Sequence, residues 1–418
     1  LRSPDAFRER DVPSWLTDPW LTDWLHLLTR WFHLVVGAGW IGASFYFNWL
    51  NNNVRPVEDP SGRLAGGLWA VHGGAFYQVN KFKGAPEKLP ETLHWFKWEA
   101  YLTWISGITL MLLVYWMQAG IMMLPAGSPL TPVQGAGIGV GALVLGWVAY
   151  DSLCKSPLVK VPAALAAVGF TLLTASAWAL NQVFTPRAAW MHLGAMMGTM
   201  MALNVFFVII PGQRAMVDAM VQGREPPVER GKAGALRSLH NNYFTLPVLF
   251  VMVSNHFPFA YDSAVPWATL VAIMGIAAGV RHWINLHEKG YYNAWILPVA
   301  TVAMFALAFV VHGPRPDAGS QPGASGAAAQ AGAMPSDSEI ERIVQARCTP
   351  CHSDAPTWQG ISAPPKGFIV KTAADARASA DKIHAQIVSR AMPLGNLTQI
   401  TDAERDALAR WLAAGAAK

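Results

Sequence analysis

The chain has 418 residues, of which 53% are hydrophobic and only 14% charged, and it carries 19 tryptophans. Soluble domains hold nearer a quarter charged residues, so this composition argues against a wholly soluble enzyme. The formal net charge of +5 comes without the basic–aromatic pattern of a nucleic-acid binder, and no nucleic-acid partner is expected.

Residues 1–23 read as an N-terminal segment outside the membrane, and no cleavable signal precedes the first apolar run, which reads as a signal anchor. Crossing a bilayer as a helix takes about 20 apolar residues. Runs of that kind fall at 24–50, 99–120, 133–153, 160–183, 187–210, 239–257, 266–286 and 292–312, which predicts an eight-helix transmembrane bundle over 24–312. The loops after the odd-numbered runs hold fifteen basic residues, from Arg55 to Lys289, whereas the alternate loops hold only Arg187. By the positive-inside rule, the odd loops face the cytoplasm and both termini lie outside.

Ionisable residues within such runs are functional candidates. His33 lies in the first run, near the outer side, with Arg30 and the small residues Gly37, Gly39 and Gly42 around it. One reading is a b-type haem held by His33 and His192, with Arg30 near a propionate. The other is a histidine hydrogen-bonded between helices, with Arg30 reaching to the interface. Toward the cytoplasmic side, "WAVHGG", "LHNNYF" and "RHWINLHEK" mix polar and aromatic groups. There Asn241, Asn242, Arg281 and Asn285 are the candidate binding residues for a planar anion. His72, His240 and His282 belong to the same cytoplasmic-side set. Each of these residues also suits plain anchoring at a membrane boundary. Cys154 reads as an inert buried thiol, and the methionines of "MHLGAMMGTMMALNV" as helix packing.

Residues 313–337 are rich in Gly, Ala, Ser and Pro and nearly uncharged, the composition of a flexible tether. Beyond them, "CTPCH" places Cys348 and Cys351 two residues apart with His352 next, the spacing that attaches a c-type haem by two thioethers and leaves a histidine under the iron. Zinc would want two further soft ligands, and none follow. A helix-like "SEIERIVQAR" before the motif and "TDAERDALARWLAAG" at the end complete the layout of a small class I cytochrome c over 338–418. Met392 is the only methionine from Ser338 onward and is the expected sixth ligand, with His384 as the competitor. Haem c is attached outside the cytoplasmic membrane, which agrees with the topology read from loop charges. The fold class is therefore all-α: a membrane bundle with a tethered small all-α cytochrome domain.

The stretches "WLHLLTRWFHLVVGAGWIGASFYFNWL", "LWAVHGGAFYQVNKF", "LPETLHWFKWEAYLTWISG" and "LHNNYFTLPVLFVMVSNHFPF", followed by a tethered CxxCH motif, closely resemble the membrane-bound, cytochrome-c-fused urate oxidases of the PuuD type. The resemblance runs from about Trp24 to the end of the chain. The first run also resembles the His-bearing helix of haem-binding membrane protoporphyrinogen oxidases. The resemblance implies oxidation of urate to 5-hydroxyisourate in a bacterial inner membrane, with electrons passing through haem c to a soluble or membrane cytochrome or terminal oxidase. Urate gives up two electrons and a haem accepts one, so the resemblance implies a second centre such as haem b, or two successive transfers; the oxygen would come from water, with His72, His240 or His282 as the base. Two competitors come from other classes. One is a membrane-anchored electron carrier or quinol-oxidising cytochrome; the other is a purine transporter with a haem sensor, disfavoured because no internal repeat pairs the two halves.

Overall fold

The computed structural model describes residues 19–83, 86, 88–125, 127–261, 263–312, 334–358, 361 and 363–416. Most of the expected outer segment (1–18) and tether (313–333) lie outside the described residues. The chain is mostly helical, in two cores. The first is built from α1 (Pro19–Asn53), α2 (Trp98–Leu110), α3 (Ala119–Met122), α4 (Pro132–Lys155), α5 (Pro162–Val183), α6 (Pro186–Asn204), α7 (Ile210–Val221), α8 (Val228–Ser254), α9 (Pro266–Glu288) and α10 (Ile296–His312). Five stretches are long and apolar enough to cross a membrane: Trp98–Trp116, Pro132–Lys155, Pro162–Val183, Pro186–Val221 and Pro266–Glu288; Ile296–Val311 is a shorter apolar helix.

Four of these helices, α4, α5, α6 and α9, open with proline at the first positions. Proline fits there because its missing N–H would have had no helical partner and its φ is already helical. Thr131 adds a reciprocal cap with Gln134 at the start of α4. Two π-helical turns interrupt the long helices: Met111–Trp116 extends α2, and Val205–Ile209 joins α6 to α7. The fifth predicted run therefore continues through to Val221, and the sixth helix begins at Val228, earlier than the apolar run alone shows.

The methionine-rich α6 is the axle of the bundle, buried on nearly every face from Ala188 to Asn204. Small residues let its neighbours approach. A Cβ added at Gly139 of α4 would stand 2.5 Å from His192 Nε2, and one at Gly146 would stand 2.5 Å from Met196 Cγ. Real Cβ atoms do not approach that closely, so both positions need glycine for α4 to sit on α6.

An all-α fold is corrected in one place. Between α1 and α2 the chain forms an antiparallel hairpin, β1 (Leu64–His72) with β2 (Ala75–Phe82), pairing His72 with Ala75. The Gly73-Gly74 pair makes the two-residue turn, with φ of 58° and 79°. Two successive positive φ values are what a type I′ hairpin turn demands.

The second core belongs to α11 (Asp337–Arg347), α12 (Ala373–Ala378), α13 (Ala380–Val388) and α14 (Asp402–Ala416). Ile340, Ile343, Val344, Leu408, Trp411 and Leu412 meet where α11 crosses α14. The crossing is fastened at both ends: Trp411 Nε1 donates to Asp337 at 2.8 Å, and Arg347 pairs with Glu404 at 3.1 Å.

Candidate active site

One end of the bundle holds a cleft of about 910 Å³ between α1, the segment before α2, α6, α8 and α9. Asn48, Asn52, Asn242 and Asn285 line it and join a hydrogen-bonded network from three helices that continues behind the lining to Arg281 and Glu288. Asn48 and Asn52 on α1 both donate to Glu288 Oε2, at 2.5 and 2.9 Å. Asn48 also donates to Asn285 at 3.1 Å, Asn285 donates to Asn242 Oδ1 at 3.0 Å, and Arg281 Nε donates to the same Asn242 oxygen at 2.9 Å. The spacing explains the assembly: Asn48 and Asn52 are four apart on α1, and Arg281, Asn285 and Glu288 lie at i, i+4 and i+7 on α9, one face in each case.

Arg281 is the outstanding residue of this network. Its side chain is fully buried over the Phe45 ring, 3.9 Å from the centroid. Neither Nη1 nor Nη2 has a hydrogen-bond partner among the described residues, and Asn242 Nδ2 is also unpartnered. Buried donors without partners cost free energy, and a buried guanidinium without an anion costs more. Three such donors beside one cleft suit an anion bearing carbonyl oxygens. His282 lines the same cleft, and its Nδ1 meets the Tyr243 hydroxyl at 2.7 Å. Trp40, Phe47, Trp95, Phe96 and Tyr243 supply flat apolar walls.

Asn241, one residue from Asn242 and about 100° around α8, belongs to a second network. Asn204 Nδ2 donates to Asn241 Oδ1 at 2.8 Å and to the Tyr150 hydroxyl at 2.9 Å. Tyr150 meets His240 Nδ1 at 2.9 Å, and Cys154 Sγ lies 3.6 Å from the same nitrogen. Arg237, nearly fully buried, donates to Asn204 at 3.1 Å and pairs with Asp151 at 2.7 Å. The candidates are thus split. Asn242, Arg281, Asn285 and His282 stand together, whereas His240 faces away on the other side of α8 and Asn241 links the two sides. His72 is exposed at the hairpin tip, away from the residues that line the cleft. Sequence reasoning missed Glu288, Asn48, Asn52 and Phe45. The polar residues at four-residue spacing in "NWLNNN" and "RHWINLHE" were the available signal.

His33 and His192, the pair read as possible ligands of a haem b, each make hydrogen bonds within the protein. His33 Nδ1 meets Ser106 Oγ at 2.9 Å, while His192 Nε2 accepts from Trp116 Nε1 at 3.0 Å and its Nδ1 donates to Ala188 O at 2.8 Å. Ser106 and Trp116 are ten residues apart along α2 and its π turn, about 15 Å. Both nitrogens of His192 are thus engaged within the protein.

In the C-terminal unit the cysteine–histidine motif follows α11 directly. Cys348 and Cys351 are free thiols, and burial pushes Cys348 up to about 11 and Cys351 in the same direction. His352 Nδ1 donates to Phe368 O at 2.9 Å, which fixes the ring and leaves the lone pair of Nε2 free. Histidines that bind metals are typically oriented this way. Met392 is half-buried, with its carbonyl accepting from Arg405 at 2.7 Å. His384 sits half-buried on α13. The residues of the motif fit a covalently held haem.

No curated protein and no solved structure matches the chain. The sequence profile of the family described as urate oxidase N-terminal matches residues 19–312, the whole of the helical bundle and well over half of the chain. The chain therefore belongs to the urate oxidase N-terminal family.

Proposed function

We propose that this is a membrane-bound, PuuD-type oxidoreductase that converts urate to 5-hydroxyisourate in the cleft of α1, α8 and α9. The observation that carries the reading is Arg281, a buried guanidinium with both terminal nitrogens unpartnered beside the cleft. Urate at neutral pH is a planar monoanion with three carbonyl oxygens. Arg281 and Asn242 supply donors for its anionic edge, and Tyr243 and the cleft tryptophans supply surfaces for its ring. Low-dielectric surroundings strengthen each of these contacts.

The reaction adds water at C5 of the purine as two electrons and two protons leave. Glu288, held by Asn48 and Asn52 on one oxygen, takes a proton from that water; His282, tied to Tyr243, is the second candidate base. Cys348 and Cys351 would hold a haem c covalently, with His352 and Met392 as axial ligands. A haem so ligated accepts electrons one at a time. From there a soluble or membrane cytochrome or terminal oxidase would take them.

This reading places eight helices across a bacterial inner membrane, with the C-terminal unit on the periplasmic side, tethered by 313–337. Five long apolar stretches and the basic loops support it. In that orientation the cleft opens to the cytoplasm, since it is built from the C-terminal ends of α1 and α9. The test is anaerobic: urate is added to the oxidised full-length protein and the haem spectrum is followed. Reduction by urate in the wild type, lost in Arg281→Ala while dithionite still reduces the haem, is the expected result. A haem that stays oxidised with urate sinks the reading.

A further inference from the structure

Behind the cleft, on the far side of α8, lies a second and larger space of about 1080 Å³ between α4, α5, α6 and α8. It follows α4 from Ile138 to Cys154, about 24 Å at the rise of a helix. The lining is apolar almost throughout, with Gly141, Leu145, Phe170 and Met196 along it. Ser176 also lines it, but its hydroxyl is bonded to Leu172 O. The other polar groups, Tyr150, Cys154, His240 and Tyr243, belong to the cleft-side end of α4 and the first half of α8. This is a long apolar groove with a polar head.

The head has a defined polarity. Asn204 donates to the Tyr150 hydroxyl, so the hydroxyl hydrogen is free to go to His240 Nδ1. That assigns the ring proton of His240 to Nε2, which makes no hydrogen bond among the described residues. His240 thus offers one N–H donor in an otherwise apolar groove. The same chain of bonds reaches the cleft, because Asn204 also donates to Asn241, and Asn241 lines the cleft. Tyr243 lines both spaces. The two are back to back, separated by one helix.

We propose that the groove binds a membrane quinone, its ring carbonyl accepting from His240 Nε2 and its prenyl tail lying along α4 and α5. The stoichiometry favours a quinone over a phospholipid or fatty acid. Counted in one protonation state, urate and water become 5-hydroxyisourate with loss of two electrons and two protons. A quinone takes up two electrons and two protons on its two oxygens to become a quinol, so atoms and electrons balance in a single turnover. The groove then provides a two-electron exit beside the substrate, an alternative to the one-electron route through haem c. The source of the electrons rests on the urate reading; the binding site itself does not.

The probe is decylubiquinone with the full-length protein in nanodiscs, under anaerobic conditions. Binding is read by quenching of tryptophan fluorescence, and reduction by the quinone absorbance after urate is added. Gly141→Phe fills the groove at a position where an added Cβ meets nothing within 4 Å, and His240→Phe removes the donor. Each should weaken quinone binding by about tenfold or more, roughly 1.4 kcal/mol. Gly141→Phe should leave urate affinity within about twofold while abolishing quinone reduction. Equal quinone affinity in wild type and both variants, or displacement of the quinone by phosphatidylglycerol, would make the groove a lipid contact and overturn the proposal. Quinone that binds with the expected mutational pattern but is not reduced by urate upholds the groove and overturns urate as the electron source.

Discussion

Arg281 and Glu288 occupy one face of α9, yet they should respond to mutation in opposite ways. Arg281 is buried with two unpaired nitrogens, so Arg281→Leu removes a buried charge and fits an apolar side chain over Phe45. Such replacements are often neutral or stabilising by about 1–4 kcal/mol. The melting temperature should hold or rise while urate affinity falls by about a hundredfold, the loss typical of one partner of a buried charged contact. A melting temperature that drops sharply, with urate affinity intact, would make Arg281 a packing residue. Glu288→Gln keeps the shape and the two amide contacts but removes the base. A fall in kcat of about 10²-fold or more with KM nearly unchanged is expected. A raised KM at constant kcat would instead assign Glu288 to binding.

Among the elements, α11 and α14 form the crossing whose stability can be read against pH. Burial raises the Glu404 carboxyl, but the N–H and hydroxyl of Thr401 and the guanidinium of Arg347 outweigh it and hold the group below the usual carboxylate range. A carboxyl lowered in the folded state stabilises above its unfolded value of about 4.3, and that contribution is lost as pH falls through the folded value. The C-terminal unit should therefore become sensitive to proteolysis within Asp337–Arg347 below about pH 4. Glu404→Gln should cost about 1–2 kcal/mol near neutrality and flatten the acid dependence. An unchanged pH profile in that variant would remove Glu404 from the account.

The same elements show what the sequence made legible. Long apolar runs and proline at helix starts marked the helices, because both act within a few residues. The hairpin carried a Gly-Gly turn signal inside a stretch that the apolar runs mark only as a basic loop. The candidate site was only half visible. Arg281 and Asn285 stand four apart on one helix and could be paired by period, whereas Asn48 meets Glu288 across 240 positions, a contact that no local pattern encodes. His33 and His192 were matched by membrane depth, and depth says nothing about which part of α2 each one touches.

At the scale of the whole molecule, the question is how helices as polar as α1 and α8 can cross a membrane. The first half of α8 carries Arg230, Lys232, Arg237, His240, Asn241 and Asn242, and it is not among the stretches apolar enough by composition. Composition, however, counts residues and ignores their partners. Charged groups at membrane depth are tolerated where they face protein and pair with one another. Arg237 is bonded to Asp151 and Asn204, Asn241 to Met201 O and Asn204, and Asn242 to Arg281 and Asn285. These groups face α4, α6 and α9, while the exposed charges Glu229, Arg230 and Lys232 stay in the first two turns of α8, at its cytoplasmic end. The helix can therefore span the bilayer with its polarity turned inward, and both putting α8 across and making eight crossings become one physical statement. It is checked by labelling in intact cells, with Gln222→Cys before α8 and Ser263→Cys after it, each in a background in which Cys154, Cys348 and Cys351 are all replaced by serine. A membrane-impermeant maleimide should modify Ser263→Cys from outside, and Gln222→Cys only after the membrane is opened. Modification of both from the same side would leave α8 uncrossed, reverse the placement of every later helix, and put the C-terminal haem motif in the cytoplasm.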